Sequence, residues 1–301
     1  MSRSNAEWEN QFREWAKPPG ATEEQRMLNA EKVVRNAIDS SGTLQGKSIR
    51  VFAQGSYRNN TNIPGESDVD IAVICDDIFF PDYPEGTNQT TFRNIDADYT
   101  YTSFKNGVEQ ALVSYLGRSA VRRGNKALAL KETTYHVDAD VAPFFEHRRY
   151  DKDGSYLSGV ELRPDNGSPF NVINWPEQHY RHGVEKNTAT GRRYKAFVRI
   201  LKSLRDEMET QGIAVAKEIP RGFLLECLGW NVSNELLGQQ FYLKDVRAAL
   251  AHIYVATESE TGCSEWGEVS ELKYLFRPSQ KWTREQVSAF VLAAWTHIGF
   301  Q

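Results

Sequence analysis

The amino-acid sequence predicts an α+β protein with a mixed α/β first half and an all-helical second half. Short apolar runs of strand length occur before residue 150, among helical patterns. Four longer helical patterns follow, over 190–211, 222–237, 243–257 and 282–298. A chain of 301 residues, of which 40% are hydrophobic, can bury the cores of two such lobes.

Helix signals mark both ends of the chain. Thr22 and Gln25 have the Thr-x-x-Gln spacing of a capping box, and they predict a helix that ends at the Ser-Ser-Gly break of residues 40–42. Thr283 and Gln286 repeat this spacing and predict the start of the last helix.

Apolar runs predict four strands in the first half, over 49–52, 68–75, 127–130 and 135–145. Residues 59–66 are rich in Asn and contain Pro-Gly, which predicts a turn. Residues 151–176 are loop-like, and we expect the joint between the lobes there. The predicted organisation is an N-terminal helical segment over 1–46 that packs on both lobes, a core over 47–175 and a helical lobe over 176–301.

Composition argues against several classes of protein. No apolar run approaches the ~20 residues of a membrane span and the N-terminus carries no secretory signal, so we expect a cytoplasmic protein without membrane contact. Cys75, Cys227 and Cys263 are isolated, which argues against structural zinc and disulfides. The net charge of −4 argues against the large basic surface that duplex nucleic acid requires.

Two aspartates, Asp68 and Asp70, stand at the entrance to a buried strand. Side chains alternate along a strand, so both project to one face, and Asp138 and Asp140 have the same spacing on a later strand. If the strands are neighbours, three or four carboxylates converge and raise one another's pKa unless a cation lies between them. By itself, an Asp-x-Asp pair is more often a surface turn, but the apolar run and the second pair favour a metal site.

Oxygen ligands without nearby His or Cys suit Mg²⁺, for which Mn²⁺ can substitute. Two such ions activate an attacking hydroxyl and neutralise a leaving phosphate in phosphoryl transfer. Upstream, Gly55 lets the backbone approach a phosphate closely and Ser56 adds N–H and O–H donors, although a Gly-Ser turn alone is uninformative.

The pattern of Gly55-Ser56, eleven further residues and then Asp68-Val69-Asp70 resembles the DNA polymerase β-like nucleotidyltransferases. The stretches FAQGSYRNNTNIPGESDVDIAV, VDADVAPFFEHRRY and INWPEQHYRHGVEKN resemble the bacterial cGAS/DncV-like nucleotidyltransferases (CD-NTases), most strongly their clade E, over about residues 48–240. The resemblance implies a nucleotidyltransferase core of mixed sheet and helices, a helical C-terminal lobe and an active site in the cleft.

The resemblance also implies the roles of the acids. Asp68, Asp70 and Asp140 would be the catalytic metal ligands. The third acid of 2′-5′ oligoadenylate synthases precedes Val-Leu-Pro-Ala, and Asp140 precedes the similar Val-Ala-Pro. Asp138 is the second choice for this position.

A basic stripe of Lys195, Arg199 and Lys202 lies on the helix that follows residue 190. Spacing alone favours a solvated face on which Asp206 pairs with Lys202. In the families resembled, a lysine on this helix binds the triphosphate of the incoming nucleotide, which implies that role for Lys202.

Other substrate contacts are implied at Gln54, Gly55, Ser56 and Phe223. Relatives often place a serine that contacts phosphate at the position of Gly222, which has no side chain to make this contact. Phe223 is a base-stacking residue or, equally, a core phenylalanine.

Asn187 precedes the basic helix and has two interpretations. Asparagine is among the best helix N-caps, which spacing alone favours. Its amide can also pair with the N3–H and O4 edge of uracil, and in clade E an asparagine near this point is associated with pyrimidine choice.

These implications predict an enzyme that condenses nucleoside triphosphates into a cyclic dinucleotide, containing uridine as in cyclic di-UMP or cyclic UMP-AMP, for anti-phage signalling. We expect a monomer whose product is sensed by a separate effector. The alternatives are a nucleotidyltransferase that modifies a small molecule or RNA, and a degenerate nucleotide-binding module.

We predict that product formation does not depend on a nucleic-acid activator. The animal relative that senses DNA carries a zinc-binding insertion and basic surfaces, and this chain has scattered cysteines and a net charge of −4. Rates measured with and without duplex DNA at physiological salt should therefore agree within about twofold. Strong stimulation by DNA would contradict the prediction.

Overall fold

The computed structural model describes residues 3–66 and 68–301. These residues form two compact units. The helical unit comprises residues 3–19, Arg58–Glu66 and Gln178–Gln301, and the sheet unit comprises Gly20–Tyr57 and residues 68–177.

The strands lie between Ile49 and Asn174, and α-helices follow from Pro176 onwards. The helices are α1 (Asn5–Trp15), α2 (Ala21–Asp39), α3 (Gly55–Asn59), α4 (Tyr101–Leu116), α5 (Pro176–Ala189), α6 (Arg193–Thr210), α7 (Ala214–Glu218), α8 (Phe223–Asn231), α9 (Tyr242–Thr257), α10 (Glu260–Cys263) and α11 (Arg284–Ile298). The strands are β1 (Ile49–Gln54), β2 (Val69–Asp82), β3 (Val121–Arg123), β4 (Leu128–Leu130), β5 (Ala139–Tyr150), β6 (Tyr156–Leu162) and β7 (Val172–Asn174).

The strand order β1-β2-β5-β4-β3 places β2 and β5 side by side at the centre of the sheet, and β6 joins β5 to β7. The β2–β5 pair is parallel, and the other pairs are antiparallel. In β2, five consecutive residues after Asp70 are buried, which is typical of a central strand covered on both faces. The core of the unit includes side chains of α2 and α4, among them Met27, Val34, Phe104, Val108 and Leu112.

The strand predicted over 68–75 is longer in the structure than its apolar run. β2 continues past Asp76 and Asp77 to Asp82, because a register shift between Cys75 and Phe79 accommodates the two acids. Their charges have local partners: Arg50 donates two hydrogen bonds to Asp76, and Asp77 accepts the Ser48 backbone N–H.

The expectation of a loop over 151–176 is wrong, since β6 and β7 lie within this range. The turn at Asp153 and Gly154 joins β5 to β6 as an antiparallel hairpin. The Gly and Asn signals therefore marked turns within the sheet, because such residues serve a hairpin as well as a linker.

The capping box predicted at Thr22 is wrong as well. The N-cap of helix α2 is Gly20, two residues before Thr22, and no side chain caps the helix. The box at Thr283 and Gln286 is present at the start of α11, as predicted, and a further one at Ser4 and Glu7 begins α1.

The helical unit is organised around α6, whose apolar side chains are buried. Trp8 and Phe12 of α1 belong to the same core, together with residues of α8, α9 and α11. Among the described residues, no helix combines the length and apolarity that crossing a membrane requires.

Candidate active site

The parallel pairing of β2 and β5 brings two of the predicted acids together. Asp70 is the second residue of β2 and lies opposite Asp140, the second residue of β5. Residues that pair across neighbouring strands project to the same face, so the two carboxylates share one face of the sheet. Asp68 immediately precedes β2, two residues before Asp70, and is exposed.

The electrostatics of this edge favour a bound cation. The carboxyl group of Asp140 is partly withdrawn from water, which raises its pKa, and the charge of Asp68 raises it further against the opposing effect of Arg122. Asp68 and Asp140 line a cavity of about 450 Å³ together with Asp138, Arg122 and Lys131. Like charges held this close are relieved by a cation among them.

The donor atoms fit a hard divalent ion, because the side chains that converge at this edge offer carboxylate oxygens and no sulfur or imidazole. Within residues 3–66 and 68–301, no three acidic, His or Cys side chains form a complete ligand set in advance. The sheet thus brings potential ligands to one edge without closing them into a finished site.

Asp138, the second choice for the third acid, has a local structural role. Its Oδ1 accepts the backbone N–H of Glu132 at 2.6 Å, and its backbone oxygen accepts the N–H of Val69. It lies before β5 begins. These contacts favour Asp140 over Asp138 as the partner of Asp70.

Gly55 lies in contact with Asp70, at the turn from β1 into α3. Gln54, the last residue of β1, pairs with Asp70 across the antiparallel ladder. Gly55 has φ +66°, and a Cβ atom there would lie 2.3 Å from Oδ2 of Asp70. Glycine is therefore required both by the backbone conformation and by the approach of the carboxylate. Gln54, Gly55 and Ser56 are all half-buried.

In the helical unit, the basic stripe is buried, so the solvated face that its spacing favoured is wrong. Lys202 is fully buried, and its Nζ lies 3.2 Å from Oε2 of Glu66. Asp206, expected to pair with Lys202, instead pairs with Arg205 and Arg221.

Arg199 of the same stripe holds two distant backbone segments. Its Nε donates to the Ala16 carbonyl at 2.7 Å, and its Nη1 donates to the Asn60 carbonyl. Burial of the guanidinium lowers the pKa of Arg199 to about 10. Within the helical unit, the stripe therefore anchors the segment Arg58–Glu66, which we call the strap, to α6.

Phe223 is not a core residue, since 41% of it is exposed. It is the first residue of α8, and its ring centroid lies 5.7 Å from that of His179. Gly222 precedes it as the N-cap and provides no side-chain hydrogen bond.

Asn187 lies inside α5, so its predicted position as the N-cap of the next helix is wrong. The N-cap of α6 is Arg192. The Asn187 side chain nevertheless supplies a capping bond, because its Oδ1 accepts the Lys195 backbone N–H at 3.1 Å. Its Nδ2 group forms no hydrogen bond within the described residues.

The sequence interpretation missed a buried cluster in the helical unit. Glu226 contacts His179 at 2.9 Å and accepts a hydrogen bond from Thr61 at 3.2 Å. The signal was available: Glu226 lies in the apolar run Phe-Leu-Leu-Glu-Cys-Leu, where a carboxylate needs a partner.

Comparisons with known proteins agree with this architecture. The family model of the cGAS/DncV-like nucleotidyltransferase C-terminal helical domain matches residues 181–299, and that of the nucleotidyltransferase domain matches residues 34–108. The chain is 40% identical to the cyclic dipyrimidine nucleotide synthase CdnE of Cecembia lonarensis, over 97% of this chain and 98% of the relative. The identity and coverage are the same for the protein of that name from Legionella pneumophila.

Among solved structures, the Rhodothermus marinus CdnE c-UMP-AMP synthase with Apcpp and Upnpp has a TM-score of 0.84 at 28% identity, and the match covers 97% of this chain and 98% of that one. The chain belongs to the cGAS/DncV-like nucleotidyltransferases, and within them to clade E. The predicted nucleotidyltransferase core, helical C-terminal lobe and class of enzyme are thereby confirmed. Nucleotidyltransferases of this kind generally use divalent metal ions.

We predict that Gly55→Ala reduces nucleotidyl transfer at least a hundredfold. The added Cβ would displace the Asp70 carboxylate from its position, and the loss of a preorganised charge typically costs ~3–4 kcal/mol in the transition state. Steady-state rates measure the effect.

Gly46→Ala is the matched control. Gly46 also has a positive φ, of +81°, but a Cβ there meets nothing within 4 Å. Both variants carry backbone strain, so equal activities in the two would show that the contact with Asp70 is unimportant.

Proposed function

We propose that this protein condenses two nucleoside triphosphates into a cyclic dinucleotide that contains uridine, such as cyclic di-UMP or cyclic UMP-AMP, with release of pyrophosphate. The observation that carries the proposal is the register of Asp70 against Asp140, with Gly55 in contact with Asp70. The pyrimidine is supported by the two relatives at 40% identity, both cyclic dipyrimidine synthases.

Asp68, Asp70 and Asp140 would hold two Mg²⁺ ions, or Mn²⁺ in their place. When bound, the ions would lower the pKa of the attacking hydroxyl and neutralise charge on the leaving pyrophosphate. Asp140 would also lie close to that hydroxyl. The Gly55 backbone leaves room for a phosphate oxygen, and Gln54 and Ser56 would donate to the phosphates.

Residues of the helical unit would orient the nucleotides. Lys202 would bind the triphosphate, whose oxygens would replace Glu66 as its partner. The exposed ring of Phe223 would stack on a base. Asn187 would use its amide group to pair with the uracil edge, in addition to its bond to the backbone of α6.

The proposal includes a cytoplasmic, monomeric enzyme that needs no nucleic-acid activator. Its product would act as an anti-phage signal for a separate effector, which need not contact the enzyme.

A direct assay tests this function. The purified protein is incubated with Mg²⁺ or Mn²⁺ and the four nucleoside triphosphates, the mixture is treated with phosphatase, and the resistant product is identified by mass spectrometry. A cyclic product has no terminal phosphate and survives the treatment. A phosphatase-sensitive linear product, or transfer only to an added small molecule or RNA, would refute the proposal.

We predict that the double variant Asp68→Asn/Asp70→Asn folds but loses turnover by several orders of magnitude, because it removes two negative ligands. Pyrophosphate release measures the loss, and circular dichroism verifies the fold. Asp76→Asn/Asp77→Asn, a double change farther along the same strand, should stay within about threefold of the wild type. Comparable pyrophosphate release from the two double variants would show that the metal assignment is wrong.

We predict that Asn187→Ser shifts incorporation from uridine towards purines, by the ~1–3 kcal/mol that a pair of hydrogen bonds contributes to discrimination. Competition between labelled triphosphates measures the ratio. Incorporation of ATP or GTP alone by the wild type, with UTP inert, would contradict the uracil assignment.

Asn187→Asp separates base pairing from helix capping. Aspartate keeps the oxygen that accepts the Lys195 N–H but lacks the amide donor. It should retain the thermal stability of the wild type and lose the uridine preference. A preference unchanged in Asn187→Asp would leave capping as the only role of this residue.

A further inference from the structure

Glu226 is the centre of a buried polar cluster that the proposed mechanism does not use. Only 4% of this residue is exposed, and its neighbours in α8 are apolar. Oε1 lies 2.9 Å from Nε2 of His179, and Oε2 accepts the Thr61 hydroxyl at 3.2 Å. Each carboxylate oxygen thus has its own partner, which a buried carboxylate requires.

The carboxylate stays ionised in this setting. Burial by itself raises the pKa of Glu226, but the charges of His179 and Lys202 and the Thr61 hydroxyl outweigh it and hold this pKa below its ordinary value. A charged, hydrogen-bonded group in a low-dielectric interior fixes the orientation of its partners.

One partner belongs to the strap. Thr61 is fully buried in the middle of Arg58–Glu66. The strap is also bound at Asn60 by Arg199 and at Glu66 by Lys202, and the chain continues from Glu66 through residue 67 into Asp68. The strap therefore ends two residues before Asp68, the first of the predicted acids in the sequence.

The other partner supports an exposed ring. The His179 imidazole is buried and is bound to Glu226 through Nε2. The planes of His179 and Phe223 are inclined by 37° at a centroid distance of 5.7 Å. Rotation of this imidazole would remove one aromatic contact of Phe223 and leave the contact with Trp282, whose ring centroid lies 6.3 Å away.

We infer that Glu226 is a positioning residue for nucleotidyl transfer, which fixes the strap through Thr61 and the base-stacking ring of Phe223 through His179. The inference rests on the proposed function, because it takes Phe223 as the residue on which a nucleotide base stacks. Glu226 acts through the two residues that it binds.

The contact of Glu226 with Thr61 and its contact with His179 have separate kinetic signatures. Thr61→Val keeps the volume of the side chain and removes the hydroxyl, so it should lower kcat about tenfold while the KM for UTP stays within twofold. Glu226→Gln removes the charge that orients both partners, so it should lower kcat similarly and also raise the KM for UTP about tenfold.

The double variant Thr61→Val/Glu226→Gln tests whether Thr61 affects catalysis through Glu226. If Thr61 acts through Glu226, kcat of the double variant should equal that of Glu226→Gln alone. Multiplication of the two losses in kcat would mean independent roles and would overturn the inference.

Glu161→Gln is the matched control for burial. Glu161 is equally buried in the sheet unit, and its Oε2 contacts His147 Nδ1 at the same 2.9 Å. This variant should lose thermal stability as Glu226→Gln does, with kcat and KM within about twofold of the wild type.

The outcomes separate this inference from the function on which it rests. A wild type that formed no nucleotide product would overturn both. An active wild type with Glu226→Gln kinetics like those of Glu161→Gln would overturn only the positioning role. Should Glu226→Gln fail to fold, an unchanged kcat in Thr61→Val would still refute it.

Discussion

The parallel register of β2 and β5 is the constraint on which the candidate site depends. It sets Asp70 beside Asp140, and a slip by one residue would turn one of the two carboxylates to the opposite face. The buried residues between Asp70 and Asp76 hold the register, because a slip by one residue would move one of these charged residues into the buried stretch. The free energy that positions the charged groups therefore comes from the apolar part of the same strands.

A carboxylate at the beginning of a buried strand loses hydration, which costs free energy in its charged state, and this cost is evident at Asp140. The pKa of Asp140 is raised by loss of solvent and by Asp68, which means that the charged state is disfavoured until a cation is present. Apolar packing thus supplies rigidity, while three acids, Asp68, Asp138 and Asp140, line one cavity beside Arg122 and Lys131. This combination is typical of a binding site for divalent ions, because the energy stored in like-charge repulsion is released on binding.

The helical unit differs, since three of its buried charged side chains have polar partners within the unit. Lys202 pairs with Glu66, Arg199 binds two backbone carbonyls, and Glu226 binds His179 and Thr61. These contacts connect α1, α5, α6, α8 and the strap, segments that are far apart in the chain. Apolar packing alone is non-directional, so the polar contacts are what select one position of the strap.

The central strands and the motif of the candidate site follow from local sequence. The apolar runs predicted the strands at the centre of the sheet, and the motif that contains Gly55, Asp68 and Asp70 carried the resemblance that implied the class of enzyme. Both are local signals, because alternation along a strand and the conformational freedom of glycine act over a few residues. The same local signals failed over 151–176, where Gly and Asn turns serve a hairpin within the sheet.

Only the tertiary structure decided which acid faces Asp70, since Asp138 and Asp140 have the same spacing and strand register selects between them. It also decided that the stripe containing Lys202 is buried and that the Asn187 side chain binds the backbone of the next helix. Helical spacing gives the face on which a side chain lies but not what covers that face. The environment of a charged group is set by segments distant in the chain, and no local pattern specifies them.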